Sequence, residues 1–561
     1  MPRGLKYRTD IGSVTRVTSL SVLAVYIAIL SLTSAASAEV NMPGIFGDHM
    51  VLQQGEQIPV WGSAVPGELI KVKLGKVHAK TKADLNGDWR VSLKTAKAGT
   101  SPLTMTVSGT STITFIDVLI GDVWVASGQS NMAIQLDYAS TGADAIKAGN
   151  RPMIRLFTVP LATAAKPQRD IAAGASSAGK WLVCSPESLR QGFSAVGYFF
   201  GRDIQVFTGK PVGLISSSVG GTFAQAWTSY EGLQSAPQLA IYAQAQKKLL
   251  GGYDAALAAY PQTLLEFQQK HDAWLKTDKP KNDAALELWN SEQAAAIAAS
   301  QPEPARPALI PEPKKPDLSG GQGHPTALYN GMIAPVIPYG IKGAIWYQGE
   351  ANAGKGIEYR YLFRALIQSW RDKWGEGDFP FLFVQLPDYQ FSWALLRESQ
   401  LDALALRNTG MAVTIDAGTV KNIHPPFKEV VGDRLALVAE HVAYGKDIEY
   451  SGPLYKSMRV EGSAIRILFD HAAGLRIGKA PVSGPDTANV PADKLVTFIV
   501  AGTDKQWQPA DAKIEGNTIV VSSPNVKEPV AVRFGWDPPS ICNLYNKAGL
   551  PASPFRTDVW Q

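Results

Sequence analysis

Five times between Val118 and Gly418 the chain repeats one form, a short unbroken apolar run that ends in a polar loop, usually with glycine. The runs are VLIGDVWVASGQSNM from Val118, PVGLISSSVGGT from Pro211, GAIWYQGEAN from Gly343, FPFLFVQLPDY from Phe379 and MAVTIDAG from Met411. Continuous apolarity, rather than alternation with polar residues, marks a strand covered on both faces. Helical stretches separate the runs, and strands alternating with helices predict a doubly wound α/β domain around a parallel sheet. Ligands bind such sheets outside the carboxyl ends of the strands, so chemistry is expected in the loops that close these runs.

The flanks read differently. Short alternating segments broken by turns such as Asn86-Gly87-Asp88 predict an N-terminal β module over 39–117, and SAIRILF, KLVTFIVAG, TIVVSS and VAVRFGW predict a C-terminal β module over 446–561. The α/β domain then spans 118–445. An Ala-, Leu- and Gln-rich stretch followed by QPEPARPALIPEPKKPDLSGGQG predicts an insertion at about 231–323, a packed helical hairpin with an extended Pro-rich connector. At the amino end Arg3, Lys6, Arg8 and Arg16 precede the apolar run Leu20–Leu32 and then Ala36-Ser37-Ala38, the pattern of a signal peptide over 1–38. That run is shorter than the roughly 20 residues of a membrane span. A secreted or periplasmic protein with no membrane span after cleavage is expected.

Charge and cysteine content narrow the partners. The 561 residues carry 54 Lys and Arg against 49 Asp and Glu, and removing 1–38 takes away four basic and one acidic residue. A nearly neutral surface gives no reason to expect a nucleic-acid partner. Cys184 and Cys542 alone cannot build a disulfide scaffold or a cysteine zinc site. In an oxidising compartment they either form one long-range disulfide or remain buried free thiols.

The G-x-S-x-G, H-E-x-x-H and G-x-G-x-x-G signatures do not occur, which argues against an ordinary α/β-hydrolase, a zincin and a Rossmann dehydrogenase. Four strand-end loops hold reactive or polar groups instead. Ser130, in Gly128-Gln129-Ser130-Asn131-Met132, could project its Oγ into a crevice and offer its own N–H to an oxyanion, or simply cap a helix. Gly220-Gly221 could bring backbone N–H groups close to a ligand, or make a tight turn. Gln348 and Asn352 supply amide donors, with Glu350 between them able to orient neighbours. Of seven histidines, His324 and His424 fall in α/β-domain loops, and His424, stiffened by Pro425 and Pro426 before a helix, is the better placed base.

These segments, together with WVASGQSNMA, GGTFAQAW, LYNGMIAPVIPYGIKGAIWYQGEANA, IHPPFKEVVGDRLA and CNLYNKAGLPASPFRTD, resemble the bacterial sialate O-acetylesterase family of the SGNH hydrolase superfamily, over nearly all of the mature chain. The resemblance implies an SGNH (flavodoxin-like) three-layer α/β/α domain. It implies Ser130 as nucleophile, His424 as general base, and Ser130 and Gly221 N–H groups as oxyanion donors. The third donor would be Gln348 or Asn352, with Gln348 slightly preferred. It also implies hydrolysis of O-acetyl esters on sialic acid or a related sugar or glycan, without metal or organic cofactor.

One departure stands out. Related esterases read Asp-Ile-His-Pro where this chain has Asn422-Ile423-His424-Pro425. Either a Ser–His dyad operates, its imidazole held by a backbone carbonyl or Asn422, or a more distant carboxylate such as Asp416 serves as the acid. Arg397 is a candidate fork for a sugar carboxylate, with an ordinary ion pair as the alternative. An acetylxylan or other polysaccharide acetylesterase, or a catalytically decayed glycan-binding protein, are the competing functions.

Overall fold

The computed structural model describes residues 39–560, apart from 56, 95–96, 175–176, 300 and 481–489. The signal-peptide reading of 1–38 lies outside the described residues. The chain folds as a mixed α/β protein. Its central sheet contains β1 (Thr112–Gly128), β2 (Arg151–Thr158), β3 (Trp181–Cys184), β4 (Val212–Ser218), β5 (Gly343–Tyr347), β6 (Phe381–Gln385) and β7 (Thr409–Val413). They are ordered β7-β6-β5-β1-β4-β2-β3, parallel except for β3 against β2. All five apolar runs became adjacent strands, and those at the middle of the sheet are buried along most or all of their length. The chain crosses from β4 to β5 over β1, so the strand order reverses there, and a crevice opens at the carboxyl ends of β4, β1 and β5.

Helices cover both faces. The principal ones are α1 (Ala195–Thr208), α2 (Ala240–Thr277), α3 (Lys279–Ala298), α4 (Gly356–Trp374), α5 (Ala394–Asp402) and α6 (Lys428–Val442). On one face Phe363 and Trp370 of α4 pack on Phe381, Phe383 and Trp346 at ring separations of 5.0 to 6.4 Å. The alternate residue Leu382 points to the other face, where Gly410 leaves room for Val438 of α6. There α6 lies against α1 so closely that a Cβ on Gly432 would sit 2.5 Å from Phe199 Cβ.

β1 is 17 residues long, about 56 Å at 3.3 Å per residue. Its first part pairs antiparallel with Gly99–Ser108 of the N-terminal strands, and its last part forms the core of the parallel sheet. Positions 117 and 118 therefore lie inside one strand, and the N-terminal strands join the α/β sheet through a continuous ladder rather than a linker. The C-terminal strands form antiparallel sheets. They are fastened to the α/β sheet by buried hydrogen bonds from Gln385 to Ser553 and from Tyr545 to Asp416.

The insertion is helical, but it hardly packs into the body. In the 38 residues of α2 only Tyr242 and Gln246 are buried, and α3 buries none. The Pro-rich connector lies back along these helices, with Asn282 pairing both the N–H and the C=O of Ile310. Cys184 and Cys542 are buried free thiols, each pushed up to about 12 by burial, so the long-range disulfide alternative is corrected. Among the described residues no helix is long and apolar enough to cross a membrane.

Gly432→Ala is expected to push α6 off α1 and cost about 1–3 kcal/mol, since overpacking a tight contact forces backbone shifts. Thermal unfolding measures this. An unchanged midpoint would show that the helix contact is looser than described.

Candidate active site

Gly128 ends β1 with φ +142, and a Cβ there would lie 2.1 Å from the Tyr347 carbonyl oxygen. Only glycine permits that approach, which turns the chain from the strand into the short helix Ser130–Ala133. Ser130 opens this turn, so its N–H has no helical acceptor. Its Oγ meets His424 Nε2 at 2.8 Å, although the two residues are 294 positions apart. The sequence-derived nucleophile and base are thus brought together. His324 is not: its Nε2 pairs with Gln246 Oε1 at 3.1 Å.

The Gly220-Gly221 turn borders the same serine. A side chain on Gly220 would touch Ser130 Cβ at 3.4 Å, and Gly221 takes φ +71, where glycine is unstrained. Among the described residues no acceptor pairs with the Gly221 N–H. The third strand-end loop corrects the preference for Gln348 as a donor. Ala224 N–H donates to Asn352 Oδ1, which fixes that amide's orientation, and Gln348 Nε2 donates to the same oxygen at 2.7 Å and to Thr222 O at 3.2 Å. Both Gln348 amide hydrogens are consumed, and its Oε1 accepts from Tyr359. Asn352 Nδ2 spends one hydrogen on Gln225 and keeps the other. Gln348 braces the strand-end loop, while Asn352 retains donor capacity.

No hydrogen bond joins His424 Nδ1 to a carboxylate among the described residues. Asp416 does not fill that role. It is buried in a bidentate pair with Arg434, at 2.5 and 2.8 Å, and accepts from Tyr545. Asn422 holds the histidine's backbone rather than its ring: Oδ1 accepts from His424 N–H at 2.9 Å and Nδ2 donates to Tyr138 OH. Tyr138 in turn donates to the His424 carbonyl at 2.8 Å. Tyr138 was missed in the sequence because an isolated tyrosine after a short turn carries no motif.

Arg397 is also corrected. It is 1% exposed, with Nε on Leu386 O, Nη2 on Pro387 O and Nη1 on Ser540 Oγ, and burial brings it down to about 10. A guanidinium so enclosed clamps backbone and the C-terminal segment, and no fork is left for a sugar carboxylate.

Behind the serine lies a buried polar cluster. Asn131 Nδ2 donates to Glu350 Oε1 at 2.5 Å and to Ile423 O at 3.0 Å, while its Oδ1 accepts from Lys428 Nζ. Glu350 therefore orients Asn131, and its Oε2 is buried without a partner among the described residues. Burial raises the Glu350 pKa, opposed in part by Asn131 and Lys428. Burial also brings Lys428 down to about 7, opposed by Glu350. His424 is lowered by burial first and then by the Lys428 charge, which favours the neutral imidazole that a general base requires. Lys428 had no signal beyond its place in the IHPPFK segment. Among the described residues no group of three His, Cys, Asp or Glu side chains is arranged to hold a metal ion.

A family model described as carbohydrate esterase, sialic acid-specific acetylesterase, matches residues 321–436. The sialate O-acetylesterase of Mus musculus is 26% identical over 95% of this chain and 97% of its own length. That of Homo sapiens is 25% identical over 91% and 90% respectively. The crystal structure of a carbohydrate acetylesterase from Xanthomonas citri is similar with a TM-score of 0.72 and 34% identity, covering 93% of this chain and all of that one.

Lys428→Met removes the positive charge beside His424, so the imidazole pKa rises and the acid limb of kcat/KM moves to higher pH. Lys428→Arg restores the charge and is expected to move it back. Asp416→Asn is expected to cost about 3–5 kcal/mol of stability by stranding buried Arg434, with kcat of the folded protein nearly unchanged. Denaturant titration and initial rates separate the two, and a rate loss of several orders without destabilisation would reinstate Asp416 as the acid.

Proposed function

Because the chain belongs to the sialate O-acetylesterase family and is a carboxylic ester hydrolase, we propose that Ser130 and His424 hydrolyse its esters as a dyad. The enzyme removes O-acetyl groups from sialic acid or a related acetylated sugar. The reading of its machinery is carried by the 2.8 Å contact between Ser130 Oγ and His424 Nε2 beside the open Gly221 turn.

His424 takes the Ser130 proton as Oγ attacks the acetyl carbonyl. The developing oxyanion is met by the N–H groups of Ser130 and Gly221 and by the remaining Asn352 amide hydrogen, donors fixed before the substrate arrives. Imidazolium then protonates the departing sugar oxygen. A water activated by the same histidine attacks the acetyl-serine and frees acetate. With no carboxylate on Nδ1 among the described residues, orientation falls to the backbone of the histidine loop, through Asn422 and Tyr138. The intact constellation weighs against a decayed glycan-binding protein.

The strand-end order of serine, glycine, amide and histidine supports an SGNH three-layer domain over 118–445, between β modules at 39–117 and 446–561. The amino-terminal charge and apolar pattern supports export through a signal peptide at 1–38, and hence a secreted or periplasmic site of action, and the likeness to the Xanthomonas citri protein supports a bacterial member of the family.

Ser130→Ala and His424→Ala are each expected to lower acetate release from O-acetylated sialic acid or acetylated xylo-oligosaccharide by about 10³-fold or more, with circular dichroism unchanged. Tyr138→Phe, which frees the histidine loop at one point, is expected to lose roughly tenfold. EDTA at 1 mM is expected to leave the rate unchanged. Retained turnover in Ser130→Ala would overturn the serine mechanism.

A further inference from the structure

Two cavities away from the serine meet along one loop. The first, of about 690 Å³, lies between the N-terminal strands and the 168–170 loop and is floored by Trp61 and Trp89. The second, of about 530 Å³, lies between the same loop, Tyr253 and Tyr260 of α2, and the end of the Pro-rich connector at Asp317. Gln168 and Asp170 line both. Each has the size of an ordinary ligand pocket.

We propose that these cavities form one groove that holds the chain of a neutral oligosaccharide, an accessory site for the glycan that bears the acetyl esters. Flat amphipathic rings stand at both ends, the side chains on which the apolar face of a sugar stacks. Asp84, Asp170 and Asp317 line the groove between and beside them and accept from sugar hydroxyls.

Charge selects the class of ligand. The lining holds the carboxylates Asp84, Asp88, Asp170 and Asp317 against the guanidiniums of Arg90 and Arg169. Arg169 is already paired with Asp88 at 2.8 Å. Lys166 over the Tyr253 ring is paired with Asp254 at 3.5 Å. The excess of carboxylate repels an anionic, sialylated chain and accepts a neutral one. The extent of the groove over two cavities fits several linked sugars rather than one. The inference rests on the acetyl-sugar reading for its ligand class only.

Binding is tested apart from turnover by titrating the Ser130→Ala protein calorimetrically with xylohexaose, mannohexaose, cellohexaose and 3′-sialyllactose. At least one neutral hexasaccharide is expected to bind, with Trp61→Ala weakening it tenfold or more and sialyllactose giving no heat that Trp61→Ala removes. Tyr260→Ala, on a largely exposed helix face, makes the same test where the Trp61 change disturbs folding. Both variants in the Ser130 background are expected to hydrolyse 4-nitrophenyl acetate at the parent rate. Failure of all three hexasaccharides to bind, equal binding by both variants, or a sialyllactose heat lost with Trp61→Ala would overturn the groove. Binding that survives in a chain showing no ester hydrolysis would uphold the groove while the esterase reading fails.

Discussion

Everything at the serine depends on one small amide that is fully withdrawn from water. Asn131 touches three segments at once: Glu350 after β5, the Ile423 carbonyl next to the histidine, and Lys428 at the start of α6. A buried polar group must find its partners or lose the free energy of desolvation, about 1–3 kcal/mol for a neutral one. The three loops therefore settle where Asn131 is satisfied, and that position brings His424 onto Ser130. Gln129 does the same on the other side, accepting the N–H groups of Gly349 and Ala351. Ser130 is flanked by two side chains, Gln129 and Asn131, that hold other loops in register with it.

With no carboxylate bonded to its ring among the described residues, His424 is held in another way. In a Ser–His–acid triad the acid fixes the tautomer and stabilises the imidazolium. Here the ring is aimed from behind, by a backbone anchored through Asn422 and Tyr138, and a buried ammonium favours its neutral form. An imidazole held so stays neutral to lower pH but gains less help when it becomes charged. The balance between those effects is set by the Lys428–Glu350 pair, whose members are each shifted toward their uncharged forms by burial.

The sheet was legible because covering both faces of a strand demands apolarity without interruption, and each of the five runs became a strand. That Ser130, the Gly220-Gly221 turn and His424 come together was legible because strand ends at a parallel sheet's crevice are few. The choice between Gln348 and Asn352 was not, since it turns on which amide hydrogens are already engaged by Thr222 and Gln225. Asp416 and Arg397 misled for a common reason. A charged residue reads the same in sequence whether it faces a substrate or, like these, a buried partner 18 or 143 positions further along the chain. The bare, outstretched insertion was likewise hidden, because Ala- and Leu-rich helices look packed until their neighbours are known.

β1 gives the molecule a shared phase. Side chains on a strand alternate with a period of two, so one residue added or removed between the two ladders of this strand swaps inward for outward at every later position unless a bulge absorbs it. β1 already holds such a bulge: from Phe115 to Val118 it takes three steps while its partner takes two from Met105 to Leu103, and Asp117 in between turns to φ +54. Evolution can lengthen the loops around this enzyme freely, as the insertion shows, but an odd residue in β1 has to be taken up where the strand can kink, before it reaches the serine.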